Sequence, residues 1–164
     1  MKKILILFLT FISLVSYSQT KLETKIFKYF NEYRVENGLK PLKFDKKVLL
    51  SAEHHNNYLN DNGYPYNYIL DNGHDEKELT DASDRLKHYG TTGFLGSGEC
   101  ILYTFREWKQ NDDNLLKKSI ASWISSPTHK RIMLLEYMDI GAISILELED
   151  GYFIMTLNVV NIKD

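Results

Sequence analysis

Three residues combine a side chain able to carry a proton or ligate a metal with a position where the chain changes course: His74, Glu99 and His129. Glu99 follows Gly98, His129 comes just after Pro127, and His74 lies upstream in a stretch rich in Asn, Asp and Gly. Two neutral imidazoles a few ångströms apart can hold Zn²⁺ or another divalent cation, leaving positions open for water, while a carboxylate orients one ring or bonds that water. Two protein ligands make a weak, exchangeable site, so the trio tolerates a metal without requiring one. Without a metal, Glu99 can fix one imidazole tautomer so that the other nitrogen acts as a base on water or a hydroxyl. The same residues can also form a polar network that pins loops to a sheet and binds nothing.

The neighbouring candidates read differently. Cys100 is the single cysteine, but side chains alternate along a strand, so its thiol points away from the face that carries Glu99 and reads as a small buried hydrophobe. His55 lies on an apolar helical stripe and reads as a satisfied, half-buried histidine. His54 and His88 read as solvated helix residues, and Lys46-Lys47 and Lys117-Lys118 as the wet faces of their helices.

Helices come first in the chain and the clearest strands last. Leu22, Ile26, Phe30 and Tyr33 recur at helical spacing up to Asn37-Gly38. Asp45 is an N-cap for a second helix whose Val48, Ala52, His55 and Leu59 form one stripe. Residues 60–75 read as a long irregular segment, in which Tyr64, Tyr66 and Tyr68 either line a groove or pin the loop to the body. A short helix around Ala82 to Tyr89 leads through turns at Gly93 and Gly96 to a strand from Glu99 to Phe105. Asp113 can cap a helix carrying Leu116, Ile120 and Trp123, which Pro127 ends. Residues 140–148 and 152–160 flank Asp150-Gly151, a hairpin dipeptide, and a tight turn sets Leu148 opposite Phe153 and Leu146 opposite Met155. That places Ile143 and Ile145 on one face with Ile154 and Val160. Both hairpin faces are apolar, so helices cover the sheet on both sides: a three-layer α/β/α sandwich with a central, mainly antiparallel sheet ending in a C-terminal hairpin.

The first eighteen residues, with Lys2 and Lys3, an apolar run from Ile4 to Val15 and then Ser16-Tyr17-Ser18, read as a secretory signal cleaved after Ser18. The run is shorter than the ~20 apolar residues that span a bilayer, and no cysteine follows it for lipid attachment. The expected division is residues 1–18 as signal and 19–164 as one domain, secreted or periplasmic, monomeric, with no membrane span once the signal is gone. Removing Lys2 and Lys3 from the 20 basic residues leaves 18 against 22 acidic ones, a balance that gives no basis for nucleic-acid binding.

Asn31-Glu32-Tyr33-Arg34, Gly38 to Leu42, Ala52 to His55, Gly98-Glu99, Trp123, Ser126-Pro127-Thr128-His129, Leu134-Leu135 and Ile140-Gly141 occur in an order that resembles the CAP superfamily. That superfamily is named for cysteine-rich secretory, antigen 5 and pathogenesis-related proteins, and this chain is most similar to its bacterial, SCP-like extracellular branch. The resemblance implies an α/β/α sandwich with a central cleft in which two histidines and one or two glutamates face each other. His74, eleven positions before Arg85, matches the first histidine, Glu99 the glutamate of the Gly-Glu motif, and His129 the second histidine. The second glutamate of eukaryotic members falls where this chain has Ser126, and Cys100 replaces the usual Asn. The expected partner is a small hydrophobic or peptide ligand or a cell-envelope component. A peptidase-like hydrolase using the same cleft, and an interaction protein with a vestigial site, remain open.

Overall fold

The computed structural model describes residues 19–63, 74–107, 109–149 and 151–162. The expected export segment, Tyr64, Tyr66, Tyr68 and Asp150 lie outside these residues. In chain order the described elements are α1 (Lys21–Glu36), β1 (Lys43–Phe44), α2 (Lys46–Asp61), α3 (Ala82–His88), β2 (Phe94–Phe105), α4 (Asp112–Ser125), α5 (Pro127–Met133), β3 (Ile140–Glu147) and β4 (Tyr152–Ile162).

Local signals account for most boundaries. Thr20 and Glu23 form a reciprocal capping box on α1, and Asn37 with Gly38 at φ 78° stops it. Asp45 caps α2 by accepting from the amides of Lys47 and Val48. The cap of α4 is Asn111, not Asp113; Asp113 instead pairs with Lys25 and Lys117. Pro127 ends α4 as expected but also opens α5, because a helix's first residue has no intrahelical use for its N–H.

The sheet runs β1-β3-β4-β2, with β1 parallel to β3 and the remaining pairs antiparallel. β2 begins at Phe94, five residues before the predicted start, because a bulge at Leu95, between paired Phe94 and Gly96, lets pairing with β4 continue through the glycines. The hairpin register also differs by one. Glu147 faces Phe153 and Leu146 faces Ile154, because Leu148 pairs directly with Tyr152 and Gly151 takes φ 81° in a longer loop. A shift of one residue exchanges faces. Ile143 and Ile145 therefore join Phe153, Met155 and Leu157 on one face, and Ala142, Ile154 and Val160 lie on the other.

α1, α4 and α5 cover the first face around Ile26, Phe30, Leu116 and the fully buried Trp123. α2 and α3 cover the second with Val48, Leu49, Leu59 and Leu86. The predicted three-layer α/β/α arrangement is present. Two polar staples align the layers. Asn31 donates to the Leu42 carbonyl and accepts from the Leu42 amide, and buried Arg34 donates to the carbonyls of Lys40, Met133 and Leu135. Arg34 thereby fixes the C-terminal end of α5, the helix that carries His129. No helix among the described residues is long and apolar enough to cross a membrane.

Candidate functional site

Glu99 sits mid-way along β2 opposite Asn158 of β4, on the sheet face under α2 and α3. Its backbone is held close to α5 because Gly98 precedes it: a Cβ at Gly98 would lie 2.8 Å from Cγ2 of Ile132. The Glu99 side chain is 4% exposed and meets two cationic or polar partners. Arg85 of α3, fully buried, donates from Nη2 to both carboxylate oxygens at 2.8 and 2.6 Å. His74 Nδ1 lies 2.9 Å from Oε1. Burial pushes the Glu99 carboxyl up, but the His74 hydrogen bond, the charge of His55 and the charge and hydrogen bonds of Arg85 outweigh it and hold it below its ordinary value. An ionised carboxylate only accepts, so His74 carries its hydrogen on Nδ1 and turns Nε2 outward; its side chain is 51% exposed.

The network continues inward through a residue that the sequence analysis does not single out. Glu76, two positions after His74, is buried and pairs with Arg85 Nη1 at 3.2 Å. It accepts from His55 Nδ1 at 2.6 Å and from His54 Nε2 at 3.0 Å, and the Tyr89 hydroxyl donates to His54 Nδ1 at 2.9 Å. His54 is therefore not a solvated helix residue but a bridge between Tyr89 and a buried carboxylate. His88 is exposed, with its ring packed edge-on against Tyr89 at 4.9 Å. His55 is satisfied as expected, but completely buried rather than half-buried. The cluster's second carboxylate is supplied by Glu76, while Ser126 is the N-cap residue of α5 and its side chain makes no capping bond. The available signal for Glu76 was its place beside His74 and within reach of Arg85.

His129 lies on α5. Among the described residues its ring has no hydrogen bond to His74 or Glu99; it is half-buried, and burial, then the charge of His74, lower its proton affinity below the ordinary histidine value. Cys100 points into the opposite core, fully buried, with its sulfur 3.8 Å from the His129 carbonyl; burial and the Glu99 charge push its thiol far above the ordinary range. It is not poised as a nucleophile. A cleft of about 440 Å³ opens over His74, Ser83, Ser97, Glu99, Arg131 and Leu135; His129 is not among its described lining residues.

The sequence pattern of the CAP, or cysteine-rich secretory protein, family matches residues 27–160. The chain belongs to that family. Among solved structures the CAP fold recurs in an extracellular protein containing an SCP domain from Bacillus anthracis, at 24% identity and TM-score 0.64 over 85% of this chain and 40% of that one. An outer surface protein of Borrelia burgdorferi matches at 19% identity and TM-score 0.70, over 89% of this chain and 97% of that chain. A cysteine-rich secretory protein of Staphylococcus aureus matches at 17% identity and TM-score 0.58, over 85% of this chain and 38% of that chain. This chain thus spans about 40% of the Bacillus and Staphylococcus proteins and nearly all of the Borrelia one. At such identities the likeness is one of fold. No curated protein matches the chain.

The donor set for a metal in this CAP domain is narrow. Arg85 engages both Glu99 oxygens, and among the described residues no group of three His, Cys, Asp or Glu is arranged to hold a metal ion. The charge of His74 is felt at His129, so these two imidazoles are the pair that would hold a cation, with water completing its shell.

Proposed function

We propose that residues 1–18 are a cleaved export signal and that residues 19–164 form a secreted or periplasmic, monomeric CAP domain that binds a peptide or cell-envelope fragment in the His74 cleft. The observation that carries this reading is the character of the groups that reach the cleft. They include the exposed His74 imidazole, the Ser83 and Ser97 hydroxyls, the Arg131 cation and the Asp81 and Glu99 carboxylates beside Ile132, Leu135 and Tyr137. A few placed polar groups among apolar ones suit recognition, and the one thiol is buried on the other face. The mixed lining suits a peptide or envelope fragment better than a bare hydrocarbon chain. The extracellular, outer-surface and secretory descriptions of the similar solved structures support export.

Native mass spectrometry of protein recovered from medium or periplasm tests the proposal. A bound small molecule is expected on the wild type and absent from His74→Ala and Arg131→Ala. A ligand retained equally by both variants contradicts it. Amino-terminal sequencing of the same sample should begin at Gln19; a mature protein starting at Met1 in the membrane fraction refutes the export reading.

The lowered proton affinity of His129 favours one alternative, peptide hydrolysis with a neutral imidazole as base at pH 7. A Zn²⁺ held by His74 and His129 would supply Lewis-acid activation of water there. Cleavage of a peptide library by the wild type, lost in His129→Ala, supports that alternative over binding alone.

A further inference from the structure

Arg85 reaches from Glu99, in the lining of the first cleft, to Glu76, in the lining of a second and larger one of about 760 Å³. Its size falls within the range of small-molecule sites. Among the described residues four aromatic rings line it, from His54, Tyr58, His88 and Tyr89. His88 packs edge-on to Tyr89 at 4.9 Å, His54 edge-on to Tyr89 at 5.7 Å, and Tyr58 lies parallel to the buried His55 ring at 6.5 Å. His54 is bonded at both ring nitrogens, to Tyr89 and Glu76, so the wall is fixed before any ligand arrives. Carboxylates from Glu53, Asp61 and Glu78 stand among the rings, and Lys77 is the one Lys or Arg among the described lining residues. Glu53 has no salt bridge within 4.0 Å among the described residues; burial and the charge of Glu23 raise its carboxyl above the ordinary value, against the pull of Lys46. Nearby positive charge would relieve that cost. Rings whose faces are negative, in one lining with carboxylates, match an organic ammonium group.

We propose that the second cavity binds an organic ammonium group, the chemistry shared by choline headgroups and lysine side chains. The site is independent of whatever occupies the His74 cleft. Cation–π contact comes from Tyr58, Tyr89 and the His54 and His88 rings, and Glu53 and Asp61 balance the charge.

The test is a titration followed by NMR of the His and Tyr ring signals of the full domain, with three probes. Choline and Nα-acetyl-lysine amide carry the ammonium, and 3,3-dimethylbutan-1-ol has the shape of choline without its charge. Saturable millimolar shifts of His88 and Tyr89 are expected with at least one ammonium and not with the alcohol. The stronger of the two ammonium probes assigns the source as headgroup or peptide. Glu53→Gln should weaken binding by about five-fold, the size of one cation–π or exposed charge contact, and Tyr89→Leu by at least as much. Lys77→Gln should tighten it, and His74→Ala should leave it unchanged. Equal response to choline and the alcohol overturns the proposal, as does silence with both ammonium probes. Binding lost in His74→Ala but kept in folded Glu53→Gln also overturns it, by moving the site to the first cleft.

Discussion

Replacing Arg85 with Met removes the only guanidinium from a cluster that holds two carboxylates out of water. Glu76 and Glu99 have side chains 2% and 4% exposed, and Arg85 contacts them at 3.2 and 2.6 Å from a position with no exposure. Methionine fills similar space, so the cost is electrostatic rather than a cavity. Removing one partner of a buried pair typically costs about 3–5 kcal/mol, because the other charge is left uncompensated. Against a whole-domain stability of about 5–15 kcal/mol, that makes the variant marginal at neutral pH. The pH dependence identifies the cause. In the wild type the Glu99 carboxyl is held low, so its stabilising contribution is fully present above the unfolded carboxyl value and fades as pH falls through the folded one. In Arg85→Met the burial that raises Glu99 remains while the Arg85 charge and hydrogen bonds are gone. The His74 hydrogen bond and the His55 charge still lower the Glu99 carboxyl, but without Arg85 it takes up a proton more readily in the folded variant than in the folded wild type. The stability gap should therefore be widest at pH 7 and narrow towards pH 4. Urea denaturation at pH 7, 5 and 4 measures it. A gap below about 1 kcal/mol at pH 7, or one constant with pH, refutes the account of the cluster.

Trp123→Ala empties a fully buried site and loses the indole hydrogen bond to the Ile101 carbonyl; it should cost about 3–5 kcal/mol by urea denaturation. Gly98→Ala drives a methyl into Ile132 and should cost about 1–3 kcal/mol while shifting the His129 ring signals, since both residues ride on α5. The His129 ring should titrate by NMR below an ordinary histidine, and its midpoint should rise in His74→Ala, which removes one of the two influences that lower it. If His74 and His129 share a divalent ion, Zn²⁺ should raise the melting temperature at neutral pH and less so as pH falls through the imidazole range; either His74→Ala or His129→Ala should then abolish the gain, and Glu99→Gln should weaken it less, whereas no response in the wild type makes the trio a metal-free site or a structural network.

The features legible in the sequence were those with a local physical signature. Capping at Asp45, the apolar stripe through Val48, Ala52 and Leu59, and the burial of Trp123 follow from neighbours three or four positions away. The alternation that sends Glu99 and Cys100 to opposite faces is equally local and holds. The hairpin register was not legible, because Asp150-Gly151 suits a two-residue turn while φ 81° at Gly151 also closes the longer loop that forms. The cluster was legible in part. His74 and Glu99 carry motif signals, but the burial of Arg85 and Glu76 depends on α3 packing over α2 and β2, a tertiary contact with no periodicity in the chain. His54 was misread for the same reason: its exposure was inferred from its own helix, and its partners, Tyr89 and Glu76, come from elsewhere.

Buried ion pairs are poor contributors to stability compared with apolar packing of the same volume, so the Glu76–Arg85–Glu99 chain calls for another reason. His74 lies outside every helix and strand, and two of the contacts that anchor it run through this chain: its Nδ1 to Glu99, and its carbonyl accepting from Arg85 Nη1 at 3.2 Å. Apolar substitutes would pack as well and hold neither. The chain therefore exchanges stability for the orientation of one half-exposed imidazole. Through Glu76 it also fixes His54 in the wall of the second cavity. Because the same guanidinium serves both carboxylates, Arg85→Met should disturb the His74 and His54 rings together even at pH values where the domain stays folded, whereas Glu99→Gln should disturb mainly His74. Ring signals of His54 that move as far in Glu99→Gln as in Arg85→Met would show that the two clefts are joined by a route other than Arg85.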